Sequence, residues 1–135
     1  MLKKVSKILL VDDDLAINYF HKRLFAKAEL GETITPLYNG SEALNEVAHL
    51  NDSIDKDALI LIFLDINMPV LDGWGFLAGF DEIYSKLNCE IKIIVLSSSI
   101  NPDDIEKAKQ NKYVSEYLTK PLTLENIVEL KKTYS

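Results

Sequence analysis

The stretch Leu-Ile-Leu-Ile-Phe-Leu-Asp-Ile-Asn-Met-Pro, residues 59–69, decides the fold. Its first six residues are apolar without alternation, which is typical of a strand that is covered on both faces inside a parallel sheet. The run ends at Asp65, so this carboxylate is predicted to lie at the carboxyl end of a central strand. Ligands and chemistry collect at that edge of open α/β sheets. We therefore expect the functional site around Asp65.

The composition is that of one acidic globular domain. The chain has 135 residues, 47% of them hydrophobic, and a formal net charge of −6. Nucleic-acid binding is disfavoured because phosphate contacts need a stripe of basic residues, and the sequence shows none. A single cysteine, Cys89, excludes an internal disulfide, and no apolar run reaches the roughly 18 residues of a membrane span. We expect a cytoplasmic protein without membrane insertion, with one domain over residues 1–135, a core of about 7–132 and no output domain.

Strand and helix patterns alternate along the whole chain. Asp12, Asp13 and Asp14 open the first helix, in which Ile17, Phe20, Leu24 and Ala28 follow at helical spacing until Gly31 stops it. Five strands alternating with five helices predict an α/β fold, a doubly wound parallel sheet with helices on both faces. The predicted strands are 8–11, 33–37, 59–64, 91–96 and 114–118.

Polar residues follow four of these strands. Asp12 and Asp13 follow the first, Asp65 the third, Ser97 the fourth and Lys120 the fifth. Because parallel strands bring their carboxyl ends to one edge, these side chains are expected to meet. Two carboxylates 4 Å apart repel by about 4 kcal/mol at an effective dielectric constant near 20, so a cation is needed among them. Mg²⁺ suits such an oxygen-only site, which together with the lysine and the serine favours a phosphoryl group and a carboxylate nucleophile.

The same residues define a resemblance. Val11-Asp12-Asp13, Leu64–Pro69 followed by Asp72-Gly73, Leu96-Ser97 and Tyr117–Pro121 together resemble the receiver domain of two-component response regulators, of the stand-alone chemotaxis type. The likeness covers about Lys7 to Lys132. It implies a sheet order of 2-1-3-4-5. It also implies a phosphorylation-dependent signalling switch with no enzymatic turnover beyond its own Mg²⁺-dependent phosphorylation and dephosphorylation.

The resemblance also assigns roles to residues. Asp65 would accept a phosphoryl group from a histidine kinase or a phosphotransfer protein, and the signal would pass to an unknown protein by contact. The implied Mg²⁺ ligands are Asp13, Asp65 and the carbonyl of Asn67, with Asp12 acting through water. Lys120 and Ser97 would contact the phosphoryl oxygens, Ser97 and Tyr117 would form the switch, and the bond before Pro121 would be cis.

Several alternatives stay open from the residues. An aspartyl-nucleophile phosphatase uses the same residue types but needs a second Asp where this chain has Asn67. A flavodoxin-like nucleotide binder needs hydroxyls and glycines in place of Asp12–Asp14, and a phosphorylation-independent receiver-like scaffold needs none of the site. Tyr117 can be a plain core aromatic. His21 and His49 are expected far from the acids, and the output surface is expected around residues 100–111 and the last helix.

Overall fold

The computed structural model describes residues 4–52, 57–98 and 101–134. In these ranges five parallel strands form one sheet in the order β2-β1-β3-β4-β5, as the resemblance implies. The strands are β1 Val5–Val11, β2 Thr33–Leu37, β3 Leu59–Asp65, β4 Glu90–Ser97 and β5 Val114–Thr119, and the helices are α1 Leu15–Ala28, α2 Gly40–Ala48, α3 Gly73–Ile83, α4 Pro102–Gln110 and α5 Leu124–Tyr134.

Strand β3 forms the centre of the core. All of its residues are buried, as its unalternating apolar run predicts. Its odd-numbered residues 59, 61 and 63 pack with α1 and α5, and its even-numbered residues 60, 62 and 64 pack with α2 and α3. Phe63 meets Phe25 of α1 with ring centroids 4.8 Å apart. Because both faces are covered, Asp65 is held at the end of the most rigidly packed strand of the sheet.

Strand β2 lies at one edge of the sheet, where its Pro36 pairs with Leu10 of β1. A proline in a strand is tolerated at an edge because it cannot donate a ladder hydrogen bond. The edge position of residues 33–37, which the strand order of the resemblance implies, is therefore confirmed.

The most deeply buried residues of helix α1 are not those of its apolar spacing pattern. Its fully buried residues are Asn18, His21 and Phe25, whereas Phe20 is 47% exposed. Asp14 caps the helix, accepting from the amides of residues 16 and 17, as predicted. The helix ends at Ala28, before Gly31, because Glu29 adopts a left-handed conformation with φ of 56°. The apolar spacing thus identifies a helix, but it does not identify the face that packs on the sheet.

Candidate functional site

Three carboxylates converge at the carboxyl edge of the sheet. Val11 of β1 pairs with Leu64 of β3, so the residues that follow, Asp12 and Asp65, lie side by side. Each of the side chains of Asp12, Asp13 and Asp65 offers an oxygen within 4.8 Å of those of the other two. Asp12 and Asp65 are only 4% and 3% exposed, while Asp13 is exposed. The predicted convergence of these acids is therefore present.

Lys120 completes the cluster from the far side of β4. Its Nζ lies 2.9 Å from Oδ2 of Asp12 and 3.3 Å from Oδ2 of Asp65, and its side chain is 14% exposed. Its backbone N–H donates to the carbonyl of Ser97 at 3.0 Å, and the bond from Lys120 to Pro121 is cis, as the resemblance implies. One fixed positive charge therefore serves two buried carboxylates.

The electrostatics of Asp65 are unfavourable to its charge. Burial is the main cause, and the neighbouring Asp12 adds to it, so that the pKa of Asp65 is raised to about 6. The Asn67 N–H, 3.2 Å from Oδ1, and the Lys120 ammonium offset this only in part. Burial lowers the pKa of Lys120, but its bonds to the two carboxylates outweigh burial and leave that pKa raised.

This donor set fits a hard divalent cation. It consists of carboxylate oxygens, the ligands that Mg²⁺ prefers, and Asp13 keeps the cluster open to solvent for the waters that this ion retains. A bound cation would also favour the ionised form of Asp65, which burial disfavours. The side chains able to hold it are those of Asp12, Asp13 and Asp65.

The loop after β3 is fixed by the Asp72-Gly73 pair. The N–H of Gly73 donates to the Ile66 carbonyl at 3.2 Å, and the Asp72 side chain caps α3 by accepting from the N–H of Gly75 at 2.8 Å. A Cβ at position 73 would lie 2.6 Å from the Ile66 Cα and 2.8 Å from the Asp65 carbonyl oxygen. Since backbone atoms cannot give way as a flexible side chain can, glycine is required where α3 meets the end of β3.

Val70, in the same loop, is strained. Its φ is +71°, a region that β-branched residues rarely adopt, and its side chain is 84% exposed. It stands in a tight turn in which the N–H of Leu71 donates to the Pro69 carbonyl at 2.9 Å. Strain of this kind, which persists only where the surroundings impose it, lies five residues after Asp65.

Ser97 and Tyr117 occupy the neighbouring strands. Ser97 is fully buried and is the last residue of β4. It lies one residue beyond Leu96, the residue of β4 that pairs with Asp65. Tyr117 of β5 is partly buried and packs against a small cluster of Ile66, Val95 and Ala108. Ile66 directly follows Asp65, and Ala108 belongs to α4. Tyr117 therefore packs against a cluster that joins the residue after the acid to α4.

The prediction that His21 lies far from the acids was wrong. Its Nε2 accepts a hydrogen bond from the N–H of Leu122 at 3.0 Å, two residues after Lys120. Its pKa is lowered to about 4, mainly by burial and further by Lys120, against an opposing effect of Asp12. His49 is exposed, and its ring contacts the Asn45 carbonyl at 2.7 Å. The misplacement arose because Leu122 and His21 are 101 positions apart.

Asn18 is a second site residue that the sequence pattern did not identify. Its Nδ2 donates to the carbonyl of Asp12 at 2.9 Å and to that of Leu37 at 3.3 Å. Both Asn18 and His21 are polar residues at i and i+3 of a helix, followed at i+7 by Phe25. That spacing places the three residues on one helix face, but it does not show that this face is buried.

A fold and an acidic pocket of this kind define the receiver class of domains, and the comparisons with known proteins agree. Residues 8–132 match the family model of the response regulator receiver domain. The chain therefore belongs to the response regulator receiver domain family of two-component signalling.

Individual relatives align with most of the chain. A two-component response regulator from Cytophaga hutchinsonii superposes with a TM-score of 0.83 at 28% identity, covering 98% of both chains. The probable methanogenesis regulatory protein FilR2 of Methanothrix harundinacea is 31% identical over 120 residues, 89% of this chain and 75% of that protein. The CheY of Borrelia burgdorferi, crystallised as a CheX-CheY-BeF3-Mg complex, shares the fold at 19% identity and a TM-score of 0.75, over 96% of this chain and 90% of that one.

Within the described residues, no helix has the length and apolar character that crossing a membrane would require.

Proposed function

We propose that Asp65 of this receiver domain accepts a phosphoryl group from a histidine kinase or a phosphotransfer protein. The observation that carries the proposal is a buried carboxylate, 3.3 Å from Lys120 and clustered with Asp12 and Asp13, at the carboxyl end of the central strand. Phosphoryl transfer needs such positioning and charge stabilisation more than it needs covalent chemistry. We further propose that this receiver domain acts in the cytoplasm.

In the proposed reaction, an ionised Asp65 oxygen attacks phosphorus. The P–N bond of the phosphohistidine donor breaks as a P–O bond to Asp65 forms, so the product is an acyl phosphate. Mg²⁺, held by Asp13, Asp65 and the Asn67 carbonyl with Asp12 acting through water, would neutralise carboxylate and phosphoryl oxygens. Lys120, already paired with both buried acids, supplies the fixed positive charge for the incoming oxygens, and the Ser97 hydroxyl donates a hydrogen bond to them.

The proposed switch runs through Ser97 and Tyr117. A phosphoryl group brings close to two negative charges to Asp65, which is enough to draw Lys120 and the Ser97 hydroxyl toward it. Tyr117 packs against the cluster of Ile66, Val95 and Ala108, so movement near Asp65 has a packing route through this cluster to α4. The output surface would then include α4 and α5. Ile100, which belongs to the predicted surface, lies outside the described residues.

The partners we propose are a kinase or phosphotransfer protein upstream and an unidentified protein downstream. The Borrelia burgdorferi CheY is precedent, since its crystals hold CheX, beryllofluoride and magnesium together. A phosphatase function is disfavoured because the position two residues after Asp65, where a proton donor would be needed, is Asn67. A phosphorylation-independent scaffold would have no use for the buried cluster of acids around Lys120.

The test is phosphorylation by acetyl phosphate in the presence of Mg²⁺, followed by intact-mass spectrometry. We expect a mass increase of one phosphoryl group, its loss on addition of EDTA, and its absence in Asp65→Asn. Asp72→Asn is the matched control, because Asp72 is a nearby acid that caps α3 and asparagine caps helices equally well. Labelling that persists in Asp65→Asn would sink the assignment, and multiple turnovers of a generic phosphate ester would favour the phosphatase instead.

A further inference from the structure

Helix α1 presents two buried polar side chains to the carboxyl edge of the sheet. Asn18 and His21 are 2% and 1% exposed, one turn apart, while the apolar Leu15 and Tyr19 of the same helix are more than 60% exposed. An ordinary amphipathic helix buries an apolar stripe, and α1 does bury Phe25 and pack Leu24 and Ala28 on the core, but it also buries these two polar side chains. Buried polar groups are retained where they have specific partners, so the backbone groups that they contact should explain their burial.

His21 holds the loop that carries Lys120. Its Nε2 accepts from the Leu122 N–H at 3.0 Å, which requires a neutral ring with its proton on Nδ1. Within residues 120–122 there are only two backbone donors, since proline has none. The other, the N–H of Lys120, donates to the Ser97 carbonyl at 3.0 Å. The loop is therefore fixed at its first residue by β4 and at its third residue by α1.

Asn18 holds the loop that carries Asp12. Its Nδ2 donates to the Asp12 carbonyl at 2.9 Å and to the Leu37 carbonyl at 3.3 Å, which ties the end of β1 to the end of β2. Its Oδ1 is buried and finds no hydrogen-bond partner among the described residues. A buried unsatisfied acceptor is costly, so a position with only a packing role would favour an apolar residue.

The two contacts act on the two ends of one ion pair. Asp12 and Lys120, whose Oδ2 and Nζ are 2.9 Å apart, come from loops 108 positions apart in sequence. Each loop is hydrogen-bonded through its backbone to the same helix face, one to Asn18 and the other to His21. Helix α1 thus fixes the spacing between the two loops through their backbones, without using any side chain of the acid cluster.

We propose that His21 is a positioning residue, which fixes Lys120 against Asp12 and Asp65 through the Leu122 amide, with Asn18 fixing Asp12 in the same way. The inference rests on the proposed function in that Lys120 is taken to serve phosphoryl transfer. It goes beyond that function by assigning a role to residues that contact neither the phosphoryl group nor the cation.

The test is a double-mutant cycle between His21 and Lys120, read as the rate of phosphorylation by acetyl phosphate with saturating Mg²⁺. Because a misplacement of about 1 Å can cost up to about a hundredfold in rate, we expect His21→Leu to be at least about tenfold slower. His21→Gln, which keeps an acceptor in the side chain, should recover most of the rate. In a Lys120→Met background, His21→Leu should cause no further loss.

A readout without phosphorylation separates this inference from the proposed function. We expect hydrogen exchange of the Leu122 amide to accelerate and the Lys120 side-chain NMR signals to shift in His21→Leu, and both to stay near wild type in His21→Gln. If these changes occur while wild-type Asp65 accepts no phosphoryl group, the proposed function fails and the placement of Lys120 by His21 stands.

Two results would overturn the inference: unchanged Lys120 signals in a folded His21→Leu protein, or the same fractional loss of rate with and without Lys120. His21→Met, whose flexible side chain fills the same space without a comparable acceptor, replaces His21→Leu if that variant does not fold.

Discussion

Replacing Asp65 by asparagine should stabilise the protein at neutral pH in the absence of divalent cations. The fold raises the pKa of this carboxyl from its ordinary 3.8 to about 6, so it holds the ionised form less well than the unfolded chain does. Since each pKa unit corresponds to about 1.4 kcal/mol, the ionised carboxylate lowers the free energy of unfolding by about 3 kcal/mol above pH 6. The attraction of Lys120 is already included in that pKa.

The pH dependence gives the sign of the effect. Between about pH 4 and 6 the folded protein keeps a proton on Asp65 that the unfolded chain has lost, so stability from this group falls as pH rises through that window. The Asp65→Asn variant has no titrating group at this position. Its gain in free energy of unfolding over the wild type should therefore be about 3 kcal/mol at pH 7.5 and should vanish toward pH 4.

The assay is urea unfolding followed by circular dichroism, in EDTA, at pH 7.5 and pH 4. Asp13→Asn is the matched control, because Asp13 belongs to the same cluster but is exposed, and its gain should be much smaller. Addition of Mg²⁺ should stabilise the wild type and narrow its difference from Asp65→Asn, since the cation binds only the folded acid cluster. An Asp65→Asn protein that is less stable at pH 7.5, or whose gain is equal at both pH values, would refute the reasoning.

Three further changes test neighbouring features. The pKa of His21 is lowered from 6.5 to about 4, so the contribution of this group to the free energy of unfolding is lost as the pH falls from 6.5 to 4. In an Asp65→Asn background, which removes the titration of Asp65, His21→Leu should abolish this loss of stability between pH 7 and 4.5, as measured by urea unfolding. Gly73→Ala places a Cβ 2.6 Å from the Ile66 Cα and should destabilise by about 1–3 kcal/mol in thermal unfolding, whereas Gly75→Ala, whose Cβ would meet the side chains of Leu71 and Asp72, should be milder. Val70→Gly relieves a φ of +71° and should raise the free energy of unfolding by up to about 1 kcal/mol, with Val70→Ala giving no such gain; a loss in the glycine variant would argue against strain.

The strands and the acid cluster could be predicted because their signals are local or topological. The unalternating run before Asp65 identifies a central strand whatever the rest of the chain does. Parallel pairing then brings every strand's carboxyl end to one edge, so Asp12, Asp65 and Lys120 had to approach one another. The order of the strands carries no such local signal, and it was available only from the resemblance.

The buried face of α1 could not be predicted because it depends on what lies beneath the helix. Apolar residues at helical spacing indicate a helix, but Asn18 and His21 face backbone carbonyls and an amide of other loops, which only polar side chains can satisfy. The partners of these side chains lie up to 101 positions away in the chain. No window of sequence around α1 contains that information.

The unfavourable features of this fold are concentrated where phosphorylation is proposed to act. The disfavoured charge of Asp65, the strained Val70 and the Asn18 oxygen, which has no partner in the part of the chain that the structure describes, all border the carboxyl edge of the sheet. The apolar layers on the two faces of the sheet supply stability. Such departures from local preference persist at functional sites, where stability is not the only constraint. The ionised carboxylate of Asp65 lowers the free energy of unfolding by about 3 kcal/mol, which is comparable to the 1–3 kcal/mol typical of the coupling free energy between two sites. A divalent cation that favours the ionised form of this carboxylate can therefore recover a free energy of the size by which sites are typically coupled, whereas a phosphoryl group adds negative charge and cannot relieve the penalty in this way.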